Sequence, residues 1–306
     1  MLAVQVIMVV AVVTAVLAMI IKALRYANAP EHMRWELYPV PHEKGRAEYG
    51  GSYLEELDWW SKPRHEDKLN ELKEMAAEIL LLKGVRHHNS KVWISSWPFH
   101  LGMYLSIGWL GLVFLGALLS ALGVAVNAEA QVFGQIIHYV TIPFGYGALV
   151  LSFLGALGLF IWRMSDKDQR RFNAPIEYFN LVLIMIVTGI AFASHITADQ
   201  SFDHLRGFVQ ATMSVSEAYI PSALFTTEIV LLSLLVAYIP LTRMSHFVAK
   251  YFLYHAVRWN DQPNQRGSLI EKRIGELLNQ KVGWRGSHIQ TGKTWGEVVT
   301  EVEDEK

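Results

Sequence analysis

The sequence contains no cysteine. Within this chain that excludes disulfides, thiolate zinc sites, cysteine-ligated iron–sulfur clusters and haem attached through a CxxCH motif. Charge is scarce as well, with Asp, Glu, Lys and Arg making up 18% of the 306 residues against 52% hydrophobic. A composition this apolar is unusual for a soluble domain of this size and points to a membrane protein. Basic residues are missing from two informative places. No Lys or Arg precedes the first apolar run, residues 2–22, so it lacks the basic n-region of a cleavable signal peptide and reads as a retained anchor helix. The stretches 125–133 and 198–220 hold one basic residue between them, Arg206.

What is present organises itself around those gaps. Five stretches, near 2–22, 98–124, 134–162, 177–197 and 221–246, are long and apolar enough to cross about 30 Å of hydrocarbon, which takes about 20 helical residues. Of the 27 Lys and Arg, twelve lie between residues 22 and 91, four between 163 and 171, and ten from 243 to 306. By the positive-inside rule this places the N-terminus outside and the C-terminus in the cytoplasm. The expected fold is all-α, a polytopic bundle of five transmembrane helices in the cytoplasmic (inner) membrane. It divides into a first transmembrane helix (1–24), a cytoplasmic docking segment (25–97), a four-helix membrane bundle (98–248) and a cytoplasmic tail (249–306).

In the docking segment the prolines of Tyr38-Pro39-Val40-Pro41-His42 forbid a regular helix, while 68–83 alternates charge with leucine as an amphipathic helix does. Seventy residues without a clear core of their own suggest a docking surface. In the tail, 269–282 is also amphipathic. Gly292-Lys293-Thr294 looks like the end of a phosphate-binding loop, but Ser287 stands where the first glycine is required. Nucleotide binding is discarded, and no nucleic-acid partner is expected.

The histidines carry the chemical signal. His100 lies in Phe99-His100-Leu101-Gly102, in the first turn of a helix opened by Pro98. His246 closes Pro240-Leu241-Thr242-Arg243-Met244-Ser245-His246, in the last turn of the fifth span. Counting passes puts these two at the inner face and His138 with His195 at the outer face. Two same-face pairs without any thiolate suit haem iron held by two imidazoles; a lone histidine at a helix end is otherwise an interfacial polar residue. The glycines at 102, 108, 111 and 116 suit close helix packing or the approach of a flat macrocycle. A break is expected at Pro143-Phe144-Gly145-Tyr146-Gly147. Glu228, about two turns inside its span, is a candidate proton acceptor or a carboxylate bonded to a neighbouring helix.

Phe99-His100-Leu101-Gly102, Pro240-Leu241-Thr242-Arg243-Met244-Ser245-His246 and five spans with an outside N-terminus together resemble the cytochrome b (gamma) subunit of respiratory nitrate reductase. The stretch Arg34-Trp35-Glu36-Leu37-Tyr38-Pro39-Val40-Pro41-His42-Glu43 favours relatives of that subunit in heterodisulfide-reductase-like membrane complexes of anaerobes. The resemblance covers residues 1–260. It implies an inner haem b on His100 and His246. It also implies menaquinone or a similar quinone as substrate, and electron exchange with a cytoplasmic heterodisulfide-reductase-like iron–sulfur subunit, with a cytochrome c on the outer face as a further partner. The family's outer haem ligands fall here on Leu110 and Glu228. A second haem would therefore rest on His138 and His195, with His204 as substitute, or be absent. The expected function is an electron-transfer subunit of a quinol-linked oxidoreductase. The alternative is a redox-inactive anchor that recruits cytoplasmic subunits.

Overall fold

The computed structural model describes residues 2–30, 40–43, 45, 46, 49, 52–63, 66–287 and 289–301. Residues 34–39 of the proline-containing motif, and Gly50-Gly51, lie outside the described residues. The described chain is helical throughout, with two isolated β-bridges and no strand. Its α-helices are α1 (Leu2–Ala27), α2 (Lys68–Leu80), α3 (Lys83–His88), α4 (Ser90–Ala121), α5 (Val132–Ser165), α6 (Lys167–Phe172), α7 (Pro175–Ala198), α8 (Asp203–Met213), α9 (Ala223–Leu241), α10 (His246–Phe252), α11 (Leu269–Leu278) and α12 (Trp295–Thr300). Five of them, α1, α4, α5, α7 and α9, are long and apolar enough to cross a membrane. They make this a multi-pass membrane fold.

The chain forms two compact units, one of Met1–Ala18 with Ala76–Thr242 and one of Met19–Met75 with Arg243–Lys306. In the first, α4 packs along α5, α5 on α7, and α7 on α9, while the short α8 lies against α4. Lipid tails are as apolar as leucine, so the helices must be held by close packing and by polar contacts. Small residues provide the first. A Cβ at Gly102 would strike the backbone of Ser152, one at Gly155 the backbone of Phe99, and one at Gly158 the Ser95 side chain. The α4–α5 seam is thus built from facing small residues. α1 exposes valine and isoleucine around its whole circumference, as a helix surrounded by lipid can. It touches the bundle near its start, where Val4 and Met8 pack on the core and Gln5 Nε2 donates to Ser216 O at 2.9 Å.

Three helix boundaries differ from the sequence expectation. α4 begins at Ser90, capped by the Asn89 side chain, which accepts from the Val92 N–H; Pro98 is therefore interior and His100 lies in the third turn. α5 runs unbroken through Pro143; one proline removes one backbone hydrogen bond, which tight packing on both sides tolerates. α9 stops at Leu241, where Thr242 is extended and its N–H turns back to Ile239 O. A 3₁₀ turn, Arg243–Ser245, follows, and His246 opens α10 instead of closing the span.

The second unit has a small core of its own. Val40, Tyr254 and Trp259 are buried together, with Met75 against them. A polar chain flanks it. His42 Nε2 meets Asp261 Oδ2 at 3.0 Å, its Nδ1 is 3.9 Å from Glu71, and Glu71 Oε1 lies 2.9 Å from His255 Nε2. The Tyr53 hydroxyl donates to Asp261 O, and Asn70 Nδ2 to Pro41 O. The described residues of 40–75 thus share a core with 254–261, which the expectation of a coreless docking segment missed. Near the C-terminus, Thr294 and Glu297 form a capping box at α12.

Candidate functional site

The polar groups of the first unit converge under α8, at the end of the bundle where α4 and α7 finish and α5 and α9 start. Asp199, one residue beyond α7, directs its carboxylate at the start of α8 and accepts from the N–H groups of His204 and Leu205, both at 2.9 Å. Four residues earlier His195 presents Nδ1 to it, 3.5 Å from Asp199 Oδ2 and 3.2 Å from Asp199 O. The other ring nitrogen, Nε2, lies 2.7 Å from Glu228 Oε1 on α9. His195 and Glu228 are fully buried. Their contact is a close ion pair without an aligned hydrogen bond, and both Glu228 oxygens lack a well-formed hydrogen bond. Burial opposes the ionisation of Asp199, but the His195 ring and the two backbone donors outweigh it and hold its carboxyl below the usual range.

Aromatic rings close the space around the imidazole. The Phe202 ring centroid is 4.3 Å from that of His195 and the Trp109 ring 5.8 Å away. Phe202 sits at φ +61°, a left-handed conformation that costs a side-chain-bearing residue roughly 1 kcal/mol. Its fully buried ring fills the cleft left by Gly145, where any Cβ would strike that ring and the Trp109 indole nitrogen.

A second cluster lies beside the first. Arg206, 3% exposed, spans from Asp203 Oδ1 to Val126 O and tucks into the space beside Gly116. His138 Nδ1 is 3.3 Å from the same Asp203 oxygen. His204 rests its ring near Tyr219 and meets the first cluster through its backbone N–H.

Of the expected outer pair, then, each histidine sits at the α8 end but faces a carboxylate. His195 does not fit an axial haem ligand, because both nitrogens meet carboxylates and Trp109 and Phe202 occupy the sides of its ring. His138 shares its carboxylate with Arg206. Glu228 is His195's partner. Asp199, Trp109 and Phe202 were not singled out as site residues from the sequence, although the i, i+4 spacing of His195 and Asp199 was visible there.

The expected inner pair is different in kind. His100, half-buried on α4, donates from Nδ1 to Ser96 O at 2.7 Å. His246, exposed at the start of α10 in the second unit, directs Nδ1 to Arg243 O at 3.3 Å. A carbonyl only accepts, so each neutral ring carries its proton on Nδ1 and its lone pair on Nε2. That is the tautomer and the supporting hydrogen bond of a metal-ligating histidine. No group of three or more His, Asp or Glu suited to a metal ion occurs among the described residues. No family model matches the chain, and neither does any curated protein or solved structure.

Proposed function

We propose that the chain is a membrane cytochrome b, binding one haem through His100 and His246 and exchanging electrons between a membrane quinone such as menaquinone and an iron–sulfur partner on the basic side of the membrane. The observation that carries this reading is the shared arrangement of the two imidazoles, each with its Nδ1 turned to a backbone carbonyl three or four residues earlier, the kind of supporting contact a metal-ligating histidine makes. The resemblance to the nitrate reductase gamma subunit supplies the haem class, the quinone and the iron–sulfur partner. When bound, the haem supplies a one-electron redox centre. The Ser96 carbonyl fixes the rotation of the His100 ring, and the Arg243 carbonyl that of His246. Glu228, at the opposite end of the bundle, would receive a proton released when the quinol is oxidised.

The orientation proposed with it puts the α8 end outside. The single basic residue there, Arg206, is engaged with Asp203 and Val126 O. All other Lys and Arg fall on segments assigned to the inner side.

The test is the dithionite-reduced spectrum and pyridine haemochrome of the purified chain. One haem b per polypeptide is expected, lost in His100→Ala and in His246→Ala. A correctly inserted chain without chromophore would leave the anchor function, recruitment of partners with no redox chemistry, in its place.

A further inference from the structure

Counting charge in the α7–α9 cluster exposes an imbalance. Two carboxylates, Asp199 and Glu228, bracket one imidazole. With both carboxylates ionised and the ring protonated, the cluster carries one net negative charge, and its Glu228 and His195 side chains are fully buried. The surrounding elements do not compensate. α4 contributes the neutral Trp109. α5 contributes Tyr146, whose hydroxyl donates to Gln200 O, and His138, which faces Asp203. α8 contributes Arg206, which is turned to Asp203 and Val126 O. An unpaired charge in such a place is costly, and groups so buried neutralise instead. One further proton makes the cluster neutral.

The geometry also says which carboxylate takes it. Asp199 is held as the anion by two backbone N–H groups and the ring. Among the described residues Glu228 has no backbone donor, and its close partner there is His195 Nε2, off the line of a good hydrogen bond. Asp199 thus orients the imidazole while Glu228 is the group free to change protonation state.

We infer that Glu228, positioned by His195 and Asp199, is a proton-loading site inside the bundle, gaining and losing one proton at the α8 end. The step forms or breaks one O–H bond on the Glu228 carboxylate and involves no electron transfer. It deepens the role given to Glu228 above, yet it rests only on the α7–α9 geometry and stands whether or not the chain binds haem.

The test is infrared difference spectroscopy of the full-length chain in liposomes, stepped in pH. The carbonyl stretch of a protonated carboxyl, shifting in D2O, is expected to grow as pH falls and to be missing in Glu228→Gln. In His195→Gln the pH midpoint of the same band should move, because the ring beside the carboxylate has been removed. A band that survives in Glu228→Gln, or a midpoint unmoved in His195→Gln, overturns the assignment. So does displacement of the band by sodium at constant pH, which would make the cluster a cation site. If His195→Gln does not insert, the comparison of wild type with Glu228→Gln decides alone. Pyridine haemochrome on the same samples separates the two readings. Haem lost in His195→Gln would make that residue an axial ligand and end the proton-loading assignment. Wild type without haem would end the cytochrome reading and leave the infrared result standing.

Discussion

Asp199 does two jobs with one carboxylate, ordering the start of α8 through the His204 and Leu205 N–H groups and fixing the His195 ring. Asp199→Asn is expected to cost about 1–2 kcal/mol, the range for losing a charged cap and a charge-assisted bond. Its pH signature has a definite sign. Because the folded-state carboxyl is held below its ordinary value, its stabilisation is fully present above the unfolded value, about 3.9, and is lost as pH falls through the folded value. Melting of the detergent-solubilised chain should therefore steepen on acidification in wild type and flatten in Asp199→Asn; parallel curves would show that Asp199 is not the responsible acid. Arg206 invites the parallel experiment, since Arg206→Gln removes the bond to Val126 O and leaves the Asp203 carboxylate to His138 and the Ser201 hydroxyl. A loss of about 1–3 kcal/mol is expected, read as a lowered melting temperature. At this scale the sequence spoke only in part. It sorted His138 and His195 to the correct common end of the bundle, because counting passes fixes the end of a helix. It could not show that His195 faces Glu228, because that depends on how α7 and α9 are rotated about their own axes, which helix packing decides.

Between elements, the α4–α5 seam is the most constrained surface. Gly155→Val would drive a side chain into the Phe99 backbone, where nothing can move aside, and is expected to destabilise the bundle by roughly 1–3 kcal/mol. Gly111, with nothing within 4 Å of a Cβ, provides the control. Gly111→Ala should be neutral or slightly stabilising, since alanine is the better helix former by about 1 kcal/mol. Resistance to unfolding in SDS should separate the two variants, and equal behaviour would refute the close-packed seam. The glycines of α4 therefore serve packing where they can be judged, Gly102 against Ser152, Gly108 against the Phe144 ring and Gly116 against Arg206. All five spans were legible as apolar runs, and the errors lie at their ends. The first turns of α4, residues 90–97, are too polar to register as membrane helix, yet they continue it because Asn89 caps them. At the other extreme, α9 stops at Leu241 and the largely polar residues 242–245 leave the helix, with Thr242 extended and a 3₁₀ turn following.

For the whole molecule, the property still to be measured is sidedness, and the lack of cysteine makes the measurement clean. The chain is its own background for single-cysteine labelling, with no native thiol to remove. Val215, 90% exposed in the turn after α8, lies in a stretch with almost no basic residues. Lys167 on α6 and Lys272 on α11 are exposed within the two basic segments that follow α5 and α9. The distribution of Lys and Arg puts Val215 on the opposite side from both. With a membrane-impermeant maleimide on intact cells, Val215→Cys should label readily, while Lys167→Cys and Lys272→Cys should label only after the membrane is opened. The reverse pattern would invert the molecule, place the Glu228 cluster at the inner face and move the partner expected near His100 to the outside. Labelling of Lys167→Cys and Lys272→Cys from different sides would be more damaging. It would mean that one of α7 and α9 does not cross, and the five-span fold itself would have to be redrawn.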